Sequence, residues 1–361
     1  MKKTISFLTI FNYILLSFSF TLLVVNLVPL KKVVDANPFI MKDNQTMLAA
    51  HRGGSGIAPE NTLLAFKTSI ENYGVDIIET DLYLTRDNKL VLCHNETINS
   101  TSDVEIVKNS NDPVYIKDLS LAELSLYNFG YNFVASETFY GEQVFPAGSR
   151  PFRNICDGIE NANERLAIVH GNEVGILDVE KLFEAFYYTQ PQICYIVEIK
   201  DSGSRGMRAA DFLARIILNK FPLLASKVVI GTFHPEIEKH LKKNYSGKLF
   251  MGASVSGASA FVLTQMFKVN LFYSCKFQCL QLPIEESTSV PILGSITINL
   301  LQKQFINQAH KRNIAVQYWT INDEATMRKA IELGADCIMT DYPDLFCKVK
   351  NDINQENMRF F

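Results

Sequence analysis

Near the start of this chain, histidine, arginine and paired carboxylates fall close together. His51 and Arg52 open H-R-G-G-S-G-I-A-P-E-N-T (His51–Thr62). Glu79 and Asp81 follow in I-E-T-D-L-Y-L-T-R-D-N-K-L-V-L-C-H-N (Ile78–Asn95), which ends beside His94. Side chains two apart on a strand share a face, so Glu79 and Asp81 are placed to hold one hard cation together. Glu198 in Y-I-V-E-I-K (Tyr195–Lys200) supplies a third carboxylate at the end of another apolar run. Three carboxylates and water suit Mg²⁺ or Ca²⁺, and such an ion polarises a phosphoryl oxygen. Lys200 lies two residues beyond Glu198 and shares its face, where its ammonium meets negative charge developing on a phosphate. Arg52 adds a planar fork that matches phosphate geometry. Breaking a phosphodiester near neutral pH needs an acid and a base, and His51 and His94 titrate in that range. The chemistry these residues point to is metal-assisted phosphodiester cleavage.

Each residue also has a plainer reading. A single Glu-x-Asp is common on surface strands, Arg52 could form a surface ion pair, and Lys200 could be a solvated tip. Their joint occurrence argues otherwise, because carboxylates inside apolar strands are costly unless paired or metal-bound. The other histidines, His170, His234, His240 and His310, lack such company and read as structural.

The elements that must position these groups alternate along the chain. Met47–Ala50 predicts a strand that ends where His51 begins, and Asn61 or Thr62 caps a helix running to about Tyr73 and stopped by Gly74. Val75–Leu84 predicts a second strand, with Lys89–Cys93 as a third or a hairpin partner. Ser120–Glu123 is a capping box. Residues 127–174 lose periodicity and gather Asn, Tyr and Phe, which predicts an insertion over the site. Helices and strands then alternate: Asp178–Tyr188, Ile193–Ile199, Ala209–Leu218, Lys227–Gly231, Leu249–Ala253, Cys279–Leu282, 299–312, Ala315–Thr320, Asp323–Leu333 and Cys337–Thr340. Strands alternating with helices predict a parallel sheet. Functional residues at strand ends favour a closed barrel over an open doubly wound sheet.

The fold expected is therefore α/β, a TIM (β/α)8 barrel with a small insertion after the early strands, preceded by one N-terminal transmembrane helix. Its parts would be an anchor or signal segment over 1–32, a linker over 33–46, the barrel over 47–347 with its insertion at about 127–174, and a tail over 348–361. The anchor is read from Ile5–Pro29, which carries no charge and is long enough to span a bilayer of roughly 30 Å. A secretory segment would have a shorter apolar core. Lys2 and Lys3 before it nearly balance Lys31 and Lys32 after it, leaning slightly toward an inside N-terminus and an extracytoplasmic barrel. With 35 basic and 38 acidic residues the chain has a formal charge of −3, and no basic surplus points to a nucleic-acid partner. Seven cysteines at scattered positions outline neither a disulfide framework nor a zinc site. Cys93, Cys194 and Cys337 lie in apolar runs and read as buried thiols.

Taken together, H-R-G-x5-P-E-N-T, E-x-D, V-x-x-H, E-I-K (Glu198–Lys200), W-T-I-N (Trp319–Asn322) and G-A-D-C-I-M-T-D-Y-P (Gly334–Pro343) resemble the glycerophosphodiester phosphodiesterase family, across about residues 47–345. The resemblance implies a TIM barrel, a divalent metal, and hydrolysis of a glycerophosphodiester to glycerol 3-phosphate and an alcohol. It implies His51 and His94 as acid and base, Glu79, Asp81 and Glu198 as metal ligands, and Arg52 and Lys200 on the phosphate. Glu60 would lie near the metal, and Trp319 would either wall the pocket or pack in the barrel. The chain departs from the family where His-Asp is usual, having His94-Asn95, and where an R-T-T-like run is usual, having Ser100-Thr101-Ser102. Two rival readings accompany this one: a lysophospholipase D-like or cyclising phospholipid phosphodiesterase at a membrane, and a non-catalytic anchored barrel.

Overall fold

The computed structural model describes residues 11–13, 15–17, 19–20, 29–136, 144–290 and 294–358. Most of the Ile5–Pro29 span read as a membrane anchor lies outside these residues. Among the described residues no helix is long and apolar enough to cross a membrane.

Among the described residues eleven strands are formed: β1 (Met47–Ala50), β2 (Ile77–Leu84), β3 (Leu90–Leu92), β4 (Cys194–Ile199), β5 (Val228–Gly231), β6 (Phe250–Met251), β7 (Cys279–Leu282), β8 (Glu285–Val290), β9 (Gly294–Asn299), β10 (Ala315–Tyr318) and β11 (Cys337–Thr340). Eight of them lie in the order β6-β5-β4-β2-β1-β11-β10-β7, every neighbouring pair parallel. The ends of this sheet meet at the bridge Gly252↔Cys279, where the Ala253 amide donates to the Cys279 carbonyl at 2.8 Å and the Gln278 amide to Met251 at 3.0 Å. The sheet thus closes into an eight-stranded barrel, and β3 pairs antiparallel with β2 as a hairpin partner.

The caps behave as their residue types dictate. Thr62 Oγ1 accepts the Ala65 amide to start the Leu63–Tyr73 helix, and Gly74 ends it in the left-handed region at φ 58°. Ser120 and Glu123 form the reciprocal capping box, and Asp178 and Asp323 cap their helices by accepting the Lys181 and Thr326 amides. Several elements were not foreseen, among them the Pro343–Met358 helix, which covers most of the 348–361 stretch read as a tail. The Pro235–Tyr245 helix was missed, and the Val255–Met266 helix carries no charged residue that would mark a polar side. The β8–β9 hairpin occupies 285–299, so the helix expected from 299 begins only at Lys303.

The barrel interior decides what the strands can present. Ala49, Ile77, Cys194, Ile196, Val229, Cys279, Ala315, Cys337 and Met339 pack inside it, and Cys93, Cys194 and Cys337 are buried. Residues 33–46 cross its N-terminal end. There the Asn37 amide donates to the carbonyls of Gln278 and Asn313, each at 2.9 Å, and Phe39 is buried in the inner core. The opposite end stays open to polar groups. A separate apolar cluster, including Val91, Ile98, Val104, Leu124, Phe129 and Ile176, forms between β3 and β4, and the Ala162–Gly171 helix lies in the same stretch.

Candidate active site

Because strand side chains alternate, the inner-core residues predict which later residues point inward. Ile77 lies inside, so Glu79 and Asp81 share its side nearer the C-terminal end of β2. Cys194 and Ile196 place Glu198 likewise on β4, and Lys200 follows just beyond it. The register aligns Asp81 with Glu198 on neighbouring strands. It also pairs Ala50 with Thr340, so the next residues, His51 and Asp341, emerge side by side.

The H-R-G-G turn is tightly held. Arg52 has φ 52°, and Gly53 and Gly54 have φ 82° and 88°. A Cβ on Gly53 would stand 2.9 Å from Ala65 Cβ and 2.9 Å from the Phe66 ring, so only glycine fits this approach. The bend aims the Arg52 amide at Glu79 Oε2, 2.8 Å away, while the Arg52 carbonyl accepts the Asn61 amide at 2.8 Å. Asn61 Oδ1 in turn accepts the Thr80 hydroxyl at 2.7 Å. P-E-N-T is therefore largely architectural, joining the turn to β2 and starting a helix.

The charged groups form one connected cluster. His51 Nε2 lies 4.0 Å from Glu79 Oε2. Arg52 Nη1 donates to Glu60 Oε2 at 3.1 Å, and its Nε stands 3.7 Å from Asp81 Oδ2. Lys200 Nζ is 3.1 Å from Asp81 Oδ1 and 2.9 Å from Glu198 Oε1. His94 sits further out, with the Cys93 amide beside it donating to the Asp81 carbonyl at 3.0 Å. Trp319 packs partly buried on the inner core and edge-on to Phe233, with ring centres 6.2 Å apart. Phe233 lies 6.0 Å beneath the Lys200 ammonium. All nine residues expected from the sequence thus lie at the C-terminal end of the barrel.

Burial and like charge set the protonation tendencies. Burial first, then the charge of Asp81, pushes the Glu79 carboxyl well above the usual carboxylate range, against the pull of His51 and the Arg52 amide. Burial also raises Glu198, with Lys200 opposing it. Burial pulls Lys200 down, but the charges of Asp81 and Glu198 outweigh it, leaving the ammonium more firmly protonated than usual.

This cluster bears directly on a metal. Asp81 Oδ2 is buried without a hydrogen-bond partner among the described residues, and Glu79 is a buried carboxylate beside another carboxylate. A buried acceptor oxygen without a hydrogen bond and two adjoining buried carboxylates form an all-oxygen donor set that fits a hard divalent cation. Among the described residues no three of His, Cys, Asp and Glu close on one point, because the Lys200 ammonium stands between Asp81 and Glu198.

Asp341 escaped sequence reasoning although its motif was visible. Its Oδ1 lies 2.6 Å from His51 Nδ1, and it accepts the Ser55 hydroxyl at 2.5 Å and the Asn322 amide at 2.6 Å. Burial works against this carboxylate, but the hydrogen bond and charge of His51, with Ser55 and Asn322, hold it down at about 2. Burial likewise opposes a charged His51, yet Asp341 and Glu79 outweigh it and raise the imidazole above its ordinary value. The available signal was period two: Cys337, Met339 and Asp341 share one face.

Three of the remaining histidines take structural partners. His240 lies 2.7 Å from Asp211 and His310 2.7 Å from Asp336, while His234 Nε2 is 3.0 Å from the Lys200 carbonyl and steadies the chain beneath that lysine.

The model of the glycerophosphoryl diester phosphodiesterase family matches residues 51–345. The chain belongs to this family. Its members are phosphoric diester hydrolases, and this chain is one of that enzyme class. A glycerophosphodiester phosphodiesterase of Bacillus subtilis is 23% identical over 317 residues, covering 86% of this chain and 88% of the relative. A lysophospholipase D of Homo sapiens is 25% identical over 309 residues, covering 81% and 82%. The fold of this diesterase is similar to the crystal structure of a glycerophosphodiester phosphodiesterase from Agrobacterium tumefaciens, with a TM-score of 0.55 at 16% identity, covering 84% and 100%. It is similar as well to an Oleispira antarctica phosphodiesterase in complex with the product sn-glycerol-3-phosphate, with a TM-score of 0.54 at 17% identity, covering 84% and 96%.

The two departures from the family pattern meet each other in this diesterase. Asn95 Oδ1 lies 3.1 Å from His94 Nδ1, and Asn95 Nδ2 donates to Ser100 Oγ at 2.9 Å. An amide thus stands where an acidic neighbour is usual. Burial, with the charges of Arg52 and Lys200, lowers the His94 pKa against the charge of Asp81 and the hydrogen bond of the uncharged Asn95. Asn95→Asp places a carboxylate there, so the limb of the pH–rate profile that reports His94 moves to higher pH. Comparing the two profiles on one substrate checks this, and an unmoved limb would show that Asn95 does not tune His94.

Proposed function

We propose that this phosphodiesterase hydrolyses glycerophosphodiesters to glycerol 3-phosphate and an alcohol, using a divalent cation, Mg²⁺ or Ca²⁺, with His51 and His94 as acid and base. The observation that carries this reading is the pairing of His51 with Asp341 on one side of the carboxylate cluster, with His94 on an amide partner beside it. A carboxylate on Nδ1 stabilises the imidazolium and suits His51 to give a proton to the leaving alkoxide oxygen. An amide acceptor near Nδ1 favours a neutral ring with its proton there, leaving Nε2 of His94 to take a proton from water as it attacks phosphorus. One P–O bond forms to water and one breaks to the alcohol, and one proton is taken up while another is given.

Glu79, Asp81 and Glu198 are the residues to hold the cation, which when bound polarises a phosphoryl oxygen. Arg52 and Lys200 bind the phosphate oxygens, Glu60 orients the Arg52 fork, and Trp319 with Phe233 walls one side of the pocket. The relative with bound sn-glycerol-3-phosphate supports this product, and the human lysophospholipase D supports a second substrate class, a lysophospholipid. We further propose that Ile5–Pro29 anchors the chain in a membrane, with the barrel on the extracytoplasmic side.

The test is incubation of metal-stripped protein with glycerophosphocholine or lysophosphatidylcholine, with and without Mg²⁺ or Ca²⁺. Metal-dependent release of free phosphomonoester supports hydrolysis. A cyclic phosphate product would assign internal attack instead, and no turnover of either substrate by folded, metal-loaded protein would favour a non-catalytic barrel.

A further inference from the structure

One side of the barrel differs in chemistry from the rest. The Val255–Met266 helix, V-S-G-A-S-A-F-V-L-T-Q-M, contains no charged residue. Gly257, Phe261, Val262 and Gln265 face the barrel. Its outer face exposes Val255, Leu263 and Met266, and Phe267 at its end is 69% exposed. A solvated helix face ordinarily carries charge, whereas here exposed Ser256 and Ser259 follow Val255 and the exposed apolar side chains gather at Leu263, Met266 and Phe267, a cluster that marks an interaction surface.

The flanks of this helix are basic. From Pro235 to Asn322 the chain has nine Lys or Arg and four acidic residues, Glu236, Glu238, Glu285 and Glu286, in a protein whose formal charge is −3; Glu238 pairs with Lys242. Lys242 and Lys276 line a groove with Val33 and Gly247. Val33 is the place where the chain joins this side of the barrel: its amide donates to the Arg312 carbonyl at 2.9 Å. Arg312 Nη2 in turn donates to the Asn270 carbonyl at 2.6 Å, just past the helix. The uncharged Ile5–Pro29 segment ends four residues before Val33, with Lys31 and Lys32 between. At the other end of the helix, Val255 follows β6 on the site side of the barrel, next to the loop after β5 that carries the exposed Phe233.

We propose that this side of the barrel, with the Val255–Met266 helix and Phe267 at its centre and the lysines around it, lies on an anionic lipid bilayer. An apolar strip embeds at the boundary between headgroups and acyl chains, and the lysines meet anionic headgroups. The strip runs from the chain entry toward the catalytic mouth, so a barrel lying on it holds its mouth at the level of lipid headgroups. Resting on the phosphodiesterase reading, this makes a lysophospholipid in the same bilayer reachable.

The experiment uses the full chain with Cys347→Ser to silence the one cysteine that is not buried. An environment-sensitive fluorophore is attached at Phe267→Cys or, on the far side of the barrel, at Glu71→Cys. Vesicles of phosphatidylglycerol and phosphatidylcholine carry a spin-labelled lipid, and flotation is measured on the same samples. Quenching at position 267 several-fold above that at 71, weakened on phosphatidylcholine alone, is expected. A chain that floats with equal quenching at both positions keeps its anchor and overturns the proposed surface. Cross-linking of 267 to 267 between chains without quenching assigns the face to a second copy and overturns it too. A chain that does not float overturns both anchor and surface. Turnover of glycerophosphocholine is measured separately, so a failed hydrolysis reading leaves this readout intact.

Discussion

His51→Ala lowers kcat/KM for glycerophosphocholine by roughly 10²- to 10⁴-fold, the span that a positioned acid–base group contributes, or about 3–5 kcal/mol of transition-state stabilisation. His51 stands just past the end of β1, held through Nδ1 by Asp341 and facing Glu79 through Nε2. Removing the imidazole removes the proposed proton donor while leaving the strand that ends before it. Asp341→Asn distinguishes catalysis from packing. It keeps the shape and the contact to Nδ1 but loses the carboxylate that favours the imidazolium, so the smaller fall in kcat comes with a His51 limb displaced to lower pH. Steady-state kinetics across pH on both variants measures this, with circular dichroism as the control for folding. Activity in His51→Ala within a few-fold of the parent would remove His51 from the mechanism.

Glu79→Gln separates stability from function. With metal present its kcat/KM falls by roughly 10³-fold, on the basis of about 4 kcal/mol from electrostatic stabilisation at the reacting phosphate. Without metal the same substitution stabilises the fold, because a buried carboxylate beside Asp81 is replaced by a neutral side chain of equal shape. The sign follows from the raised Glu79 carboxyl. A carboxyl whose folded pKa exceeds its unfolded value favours the fold at low pH. That contribution is lost as pH rises above the ordinary carboxylate range. The thermal advantage of Glu79→Gln over the metal-stripped parent therefore grows with pH. Adding Mg²⁺ or Ca²⁺ raises the melting temperature of the parent by ligand linkage and leaves the variant nearly unchanged. Thermal melts at several pH values with and without cation check this. A parent indifferent to both cations would overturn Glu79 as a ligand.

Much of the cluster is legible in the sequence because strand periodicity is short-range. Glu79 with Asp81, and Glu198 with Lys200, share faces whatever the rest of the fold does, and an apolar run that ends in a histidine places that histidine at a strand end. The caps at Thr62, Ser120, Asp178 and Asp323 were equally local, since an N-cap needs only a side-chain oxygen and an amide three residues on. The Val255–Met266 helix resisted reading because it has no charged residue to alternate with its apolar ones. The β8–β9 hairpin, rich in Ser, Thr and Ile, merged in sequence with the helix after it.

The sequence by itself determined the kinds of group and their local faces: carboxylates at alternate positions, a histidine after each of two apolar strands, and an uncharged segment before the barrel. Only the tertiary structure decided who stands beside whom. Nothing near His51 in sequence names Asp341 as its partner; that contact exists because β1 and β11 pair in register when the barrel closes. Lys200 reaching Asp81 from the neighbouring strand is likewise a result of chain closure, whereas the link from His94 through Asn95 to Ser100 is local. The physical reason is range. Backbone geometry couples residues two to four apart, whereas a site shared by six strands is set by packing between residues nearly three hundred positions apart.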